Sequence, residues 1–299
     1  MGTLDRPESE RQWGPIAVGQ SIVDFQPRPP LVRGYRPDTV VDGWDSEHFA
    51  VRAASVRGYL HRFRGTPRQD DLALAVHPGT QVLVLAVADG VSSAAHAHVG
   101  SAVVCRSIVE SVLDALDEDV PVIDWTALLR RAAWALVEQA GRHLKLPEPD
   151  PVVAERTTST TLVAGIVRPA QGGCARASLV QVGDSSAWLL RDGAYLEILP
   201  GKPHDGQSIV PSEVSALPRV PPTIEPVEVT VPPDAVLLMG TDGFGDAVGD
   251  GSGEVGALFA RNLSTAPPPL GLAHLLDFSR ETFDDDRTLV AVWPRARRS

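Results

Sequence analysis

Apolar positions along this chain follow two periods, and together they predict an order of strand, helix pair, strands, helix and strand. Phe49 to Val56 is a strand-like run, and Val82 to Ala88 is a continuous apolar stretch of strand length, expected to be buried on both faces. Val104, Ile108, Val112 and Leu116 then step by four, flanked by Val109 and Leu113, which predicts a helix from Ala94 to about Leu116 with Ser92-Ser93 as its cap. A second stripe, Leu128, Ala132, Leu136, Ala140 and Leu144, predicts a helix that starts at Asp124 and ends before the proline-rich loop Pro147 to Pro151. Strands are expected at Thr160–Val167, Arg176–Gly183, Ala187–Arg191, Tyr195–Leu199, Glu225–Val231, Ala235–Gly240 and Arg287–Trp293, with a helix at about Leu270–Thr282 before the last of them. Asp192-Gly193 is a hairpin signal between two of these runs. The pattern is α+β, with helices covering sheet faces.

Outside these runs the chain is irregular. Residues 1–47, rich in Pro, Arg, Gly and Asp, read as an extended arm that packs on the domain through Ile22, Val23, Phe25 and Trp44, and residues 48–295 read as one domain. Lys202 to Pro222 has many turn formers and reads as a mobile surface flap. Composition changes this picture little. With 43% apolar and 22% charged residues, 299 residues are enough to bury a core. The net charge of -11 argues against a nucleic-acid partner, which needs a basic stripe. Two cysteines, no apolar leader and no run of spanning length make a cytoplasmic protein without a membrane partner the expectation.

Chemistry concentrates at the strand ends. Gln69-Asp70-Asp71, Asp89-Gly90, Gly183-Asp184-Ser185, Thr241-Asp242-Gly243 and Asp284-Asp285-Asp286 each sit where a strand meets a loop. Carboxylates from such distant positions could converge, and two unit charges about 4 Å apart repel by roughly 4 kcal/mol at an effective dielectric near 20. An all-oxygen cluster of this kind suits a hard divalent cation, Mg²⁺ or Mn²⁺. Any one of these dipeptides alone reads equally well as a turn. Gly251 to Gly256 matches GxGxxG but lies outside a βαβ unit, so no dinucleotide site is expected.

Taken in order, Gln-Asp, strand-Asp-Gly-Val-Ser-Ser, a helix pair, Thr157 to Thr161, Gly-Asp-Ser, strand-Thr-Asp-Gly and Asp-Asp-x-Thr-strand resemble the metal-dependent protein phosphatases of type 2C (PPM). The stretch His61-Arg62-Phe63-Arg64-Gly65-Thr66-Pro67-Arg68-Gln69-Asp70 resembles the opening of their compact bacterial branch. The resemblance spans about residues 50–293. It implies an antiparallel β-sandwich flanked by helices on both faces (α-β-β-α), with two divalent metals at one end and a third, weaker site. Asp89 would bridge the metals, with the Gly90 carbonyl serving one of them. Asp242 and Asp285 would complete the first shell, and Asp285 is preferred to Asp286 because it stands three before Thr288. Asp70 would hold a metal or its waters, and Asp184 would share the third metal with Asp242. Gln69 stands where many members have glutamate; its oxygen can bind a metal but brings no charge.

Under the same resemblance, a metal-activated water would hydrolyse phosphoserine and phosphothreonine in proteins phosphorylated by a partner kinase of bacterial signalling. Arg62, Arg64 and Arg68 are candidates to hold phosphate, and His61 to protonate the leaving oxygen. The chain is expected to act as a monomer. The alternative is a pseudophosphatase that binds a phosphoprotein without turnover, motivated by Gln69 and the unassigned arginine. An enzyme domain with a regulatory output of the anti-sigma type is a third, weaker reading.

Overall fold

The computed structural model describes residues 13–32, 35–118, 122–201 and 216–295. Two antiparallel sheets stack face to face. The first is ordered β1 (Thr39–Asp45), β2 (Phe49–Val56), β11 (Arg287–Pro294), β10 (Ala235–Gly240), β7 (Ser186–Arg191), β8 (Ala194–Leu199). The second is ordered β3 (Asp71–Val76), β4 (Leu83–Ala88), β5 (Leu162–Pro169), β6 (Ala175–Val182), β9 (Val227–Val231). Strands at the centre of each sheet are apolar on both faces because each sheet has a neighbour on both sides; β2, β4 and β10 are buried throughout. Val51, Leu83, Leu85, Val87, Leu237 and Val290 fill the space between the sheets.

Helices cover the outer faces. α2 (Ala97–Asp117) and α3 (Trp125–Leu144) lay Val104, Ile108, Leu129 and Leu136 on the second sheet. Three shorter helices, α5 (Asp242–Val248), α6 (Glu254–Asn262) and α7 (Pro269–Leu276), cover the first through Phe244, Phe259, Leu272 and Leu276. The expected layering, α-β-β-α, is the one observed. The Asp124 side chain caps α3 by accepting from the Ala127 N–H at 3.0 Å, as its position predicts. Asp192 and Gly193 turn at positive φ between β7 and β8.

Several expectations need correction. Thr39–Asp45, inside the stretch read as an arm, is the edge strand of the first sheet, paired along β2 from Thr39↔Val56 to Asp45↔Ala50. Ser92-Ser93 do not cap α2. Val91 to Ala97 instead forms turns, with Ala94 N donating to Val91 O and Ala97 N to Ala94 O, and the helix begins at Ala97. Asp150 and Pro151, read as loop, open a short helix α4 (Pro151–Thr158), with the Asp150 carboxylate accepting from Val152 N. α7 stops at Leu276, six residues short of the expected end, since Asp277 to Asp286 must turn back to feed β11. Of the expected flap, 202–215 lie outside the described residues; the end at Leu217 is fully buried and bridges Thr160.

The arm packs on the domain in part. Phe25 stacks edge-on against Tyr59 and Phe63, and Trp44 packs against the inter-sheet core, but Val23 is 83% exposed. Among the described residues, no helix is long and apolar enough to cross a membrane.

Candidate active site

One end of the sandwich collects the acidic segments. Gln69-Asp70 enters β3, Asp89-Gly90 leaves β4, Asp184 lies between β6 and β7, Asp242 opens α5 after β10, and Asp285 precedes β11. A cavity of about 190 Å³ opens there, lined by Gln69, Asp89, Gly90, Val91, Ser92, Thr161, Asp184, Asp242 and Asp285. Backbone and hydroxyl contacts hold these positions. Asp89 N donates to Thr161 Oγ1 at 3.1 Å, Asp89 O accepts from Thr161 N and Thr160 Oγ1, and Thr161 Oγ1 meets Ser185 Oγ at 2.7 Å. Gly90 is required because a Cβ there would stand 2.7 Å from that of Ala97 and 2.9 Å from the Ala97 backbone.

Asp70 sits beneath the cavity rather than on its wall. Its Oδ2 accepts from Thr241 Oγ1 and Thr288 Oγ1, each at 2.8 Å, so β10 and β11 orient it from the opposite sheet. Burial and the charge of Asp286 push its pKa up to about 8. Burial, with Asp70, Asp242 and Asp285 close by, pushes Asp89 well above the usual carboxylate range. Asp285, whose carboxylate stays 56% exposed, rises to about 6 through desolvation and repulsion by Asp286 and Asp242. Among the described residues, no lysine, arginine or histidine lines the cavity. The donor set is oxygen only and carries surplus negative charge, which fits a hard divalent ion.

Asp286, next in sequence to Asp285, points the other way. It is 2% exposed and accepts from the backbone N–H groups of Gly58 and Gln69, and its Oδ1 lies 2.8 Å from His61 Nδ1. Burial opposes its charge, but His61 and the two N–H groups outweigh it and hold the carboxyl below its ordinary value. His61, on α1 (Tyr59–Arg64), is raised in turn. Burial pulls its pKa down, but Asp286, Asp285 and Asp70 together pull harder the other way. Its Nε2 is 4.0 Å from Asp285 Oδ1, at the rim of the acidic cluster. His61, Asp285 and Asp286 can bring one ligand atom each within 4.8 Å of one another.

The arginines are not brought to the cavity. Arg62 pairs with Asp277 at 2.6 Å and Asp38 at 3.1 Å and lines a cleft under the N-terminal segment. Arg64 is exposed in the last turn of α1. Arg68 is fully buried and donates to Ser55 Oγ and to Asp70 O. Sequence reasoning missed the partners that fix this end of the molecule: Asp286 against His61, Arg36 against the 68–71 loop, and Arg287. The Arg287 guanidinium donates to the carbonyls of Leu276, Phe278 and Phe283 and so shapes the turn before Asp285. The acidic run at 284–286 is visible in the sequence, but which of its members turns inward is decided by α1 and carries no local signal.

Two stacked antiparallel sheets with an acidic cavity at their shared end have the architecture of the metal-dependent phosphatases. The chain belongs to the protein phosphatase 2C family, whose model matches residues 57–276, and it is a metal-dependent serine/threonine protein phosphatase. No curated protein matches it in sequence. Solved structures resemble it in fold. The catalytic domain of the serine/threonine phosphatase PstP, in complex with two manganese ions, is 23% identical over 83% of this chain and 99% of that one, with a TM-score of 0.53. The PPM phosphatase MsPP of Mycobacterium smegmatis, in complex with cacodylate, is 22% identical over 81% and 97%, TM-score 0.54. RsbX, in complex with magnesium, is 15% identical over 85% and 100%, TM-score 0.53.

Proposed function

We propose that this chain hydrolyses phosphoserine and phosphothreonine in protein substrates using two Mg²⁺ or Mn²⁺ ions held in the acidic cavity, with Asp184 and Asp242 serving a third, weaker site. The observation that carries this reading is the convergence of Asp89, Asp184, Asp242 and Asp285 on one cavity, above a buried Asp70. Asp89 and the Gly90 carbonyl would hold the ions from one sheet, Asp242 and Asp285 from the other. Gln69 contributes a neutral oxygen, and Asp70, fixed by Thr241 and Thr288, orients the ligands from below. When bound, the ions lower the pKa of water and neutralise phosphoryl oxygens, which removes part of one of the largest barriers in hydrolytic chemistry.

The chain's own groups do the rest. Asp286 stabilises the imidazolium of His61, whose Nε2–H faces the cavity rim and protonates the leaving alkoxide. The substrates are phosphoproteins made by a partner kinase of bacterial signalling, in the cytoplasm, and the enzyme acts as a monomer.

The test is hydrolysis of an aryl phosphate and a phosphothreonine peptide across a Mn²⁺ titration, with Asp242→Asn in parallel. Turnover should require the metal and fall by at least about 100-fold in the variant, a loss of several kcal/mol in transition-state stabilisation. Metal binding without turnover on either substrate would replace the proposal by a phosphoprotein-binding module.

A further inference from the structure

We infer that Arg36, which precedes the family-matched residues 57–276, is a positioning residue for the metal-binding loop. The inference rests on the metal reading of the cavity. The Arg36 guanidinium crosses from the segment before β1 to the loop entering β3. Its Nε donates to Arg68 O at 3.1 Å, its Nη2 to Asp70 O at 2.7 Å, and its Nη1 to Asp71 Oδ2 at 2.9 Å. These acceptors bracket Gln69 and Asp70. A planar fork with fixed donors suits such a set of acceptors, and little freedom is lost per bond. The loop cannot slide along the sandwich without breaking several of these contacts together.

Arg36 is itself held. Pro37 restricts the residue before it to extended backbone. Asp38 then accepts from Arg57 N at 2.9 Å and pairs with Arg57 Nη1 at 3.3 Å and Arg62 Nη2 at 3.1 Å. The guanidinium and its carboxylate partner are largely buried, 12% and 16% exposed. Other groups complete the cradle: Gln69 N donates to Asp286, Gln69 O accepts from Ser101 Oγ, and the Asp70 carboxylate is gripped by Thr241 and Thr288. Arg36 shares the Asp70 carbonyl and Asp71 with Arg68, whose Nη1 donates to that carbonyl at 2.6 Å and lies 3.7 Å from Asp71 Oδ1, and it adds the contact to the Arg68 carbonyl, so that the residues on either side of the Gln69-Asp70 pair are tied to the segment before β1. Its charge is absorbed by Asp71, so it acts on the ions through the loop and not by direct contact.

The experiment uses the full chain and measures Mn²⁺ affinity by calorimetry without substrate, alongside metal-free melting temperature and the split between kcat and KM. Arg36→Met should weaken Mn²⁺ binding about 10- to 100-fold, the loss usual for residues that orient metal ligands. Arg36→Lys keeps the charge opposite Asp71 but cannot span both carbonyls, so it should recover melting temperature while leaving Mn²⁺ affinity depressed. Asp71→Asn keeps the carbonyl contacts but leaves the buried guanidiniums of Arg36 and Arg68 short of negative charge, so it should lower the melting temperature while keeping Mn²⁺ affinity nearer the parent than Arg36→Met does. The inference is overturned if Arg36→Lys binds Mn²⁺ like the parent while Asp242→Asn does not; Arg36 would then serve the fold alone. Should Asp242→Asn also bind Mn²⁺ like the parent, the metal reading itself fails, which is a different result.

Discussion

Two groups of buried charge meet at the same end of the sandwich and are treated in opposite ways. In the cavity, Asp89, Asp242 and Asp285 face one another above Asp70, and burial and mutual repulsion drive the pKa values of Asp70, Asp89 and Asp285 upward. Directly behind it, Asp38, Asp71, Asp277 and Asp286 each meet an arginine or histidine. The second group is a scaffold of matched charges. In the first, carboxylates crowd one another, with His61 reaching only Asp285 at the rim, 4.0 Å away. Function is thus marked less by the number of carboxylates than by how closely the protein crowds them.

The comparison can be broken from the scaffold side first. Arg287 is fully buried, and Arg287→Met would leave the carbonyls of Leu276, Phe278 and Phe283 without their donor. At roughly 1–3 kcal/mol for each unsatisfied buried group, tempered by relaxation, urea denaturation should show a loss of about 3 kcal/mol. A loss below about 1 kcal/mol would mean that the guanidinium is dispensable to the turn.

A pH series then separates the two groups. Asp70 (about 8) and Asp285 (about 6) keep protons in the folded, metal-free protein that the unfolded chain releases near 3.8. The folded state therefore binds more protons between about pH 4 and pH 8, and metal-free stability should fall as pH rises through that window. Saturating Mn²⁺ should flatten the curve. The His61–Asp286 pair has the opposite signature. Its stabilisation is lost as pH falls through the lowered pKa of Asp286, and again as pH rises through the raised pKa of His61. Asp286→Asn should thus differ most from the parent at mildly acidic pH, and its His61 should titrate lower than in the parent by NMR, because burial then acts without Asp286 to oppose it. A metal-free curve that rises with pH would contradict the crowding argument.

The smallest effect is expected at the surface. Arg191 and Asp234 make a good pair at 2.6 Å, but both side chains are about half exposed, at 54% and 51%. Asp234→Ala should change stability by at most about 1 kcal/mol, fading further in high salt. A larger change would blur the distinction between matched charges that are buried and matched charges that are merely close.

The sequence carried the periodic part of this molecule well. The stripe from Val104 to Leu116 and the Leu128, Ala132 and Leu136 part of the second stripe pack into the core over the second sheet, while Ala140 turns to Ala154 of α4; every run expected to form a strand became one. Segments with little periodicity were less legible. Thr39–Asp45 alternates only weakly because an edge strand is half-exposed. In Asp71–Val76, Leu72, Leu74 and Val76 do alternate toward the inter-sheet core, a signal overshadowed by the acidic pair before it. The helices at Tyr59–Arg64 and Asp242–Val248 are too short to show a stripe. At the site, the strand-end carboxylates stood out by position, and their roles were read from the family resemblance. Their supports did not stand out: Arg36 meets Asp70 across 34 residues and Asp286 meets Gln69 across 217, distances at which no spacing rule operates.

The place of β11 has a consequence for synthesis. This strand lies between β2 and β10, with Ser55 bonded to Thr288 across 233 residues. While a ribosome is still making the chain, β2 has only its hairpin partner β1, and the slot beside it stays empty until the segment from Arg287 onward emerges. At about 5–20 residues per second, that wait is roughly 10–50 s. Asp285 arrives in the same stretch. A nascent chain therefore has neither a complete first sheet nor a complete wall to its acidic cavity, and both are finished in one late step as the final strand is threaded home.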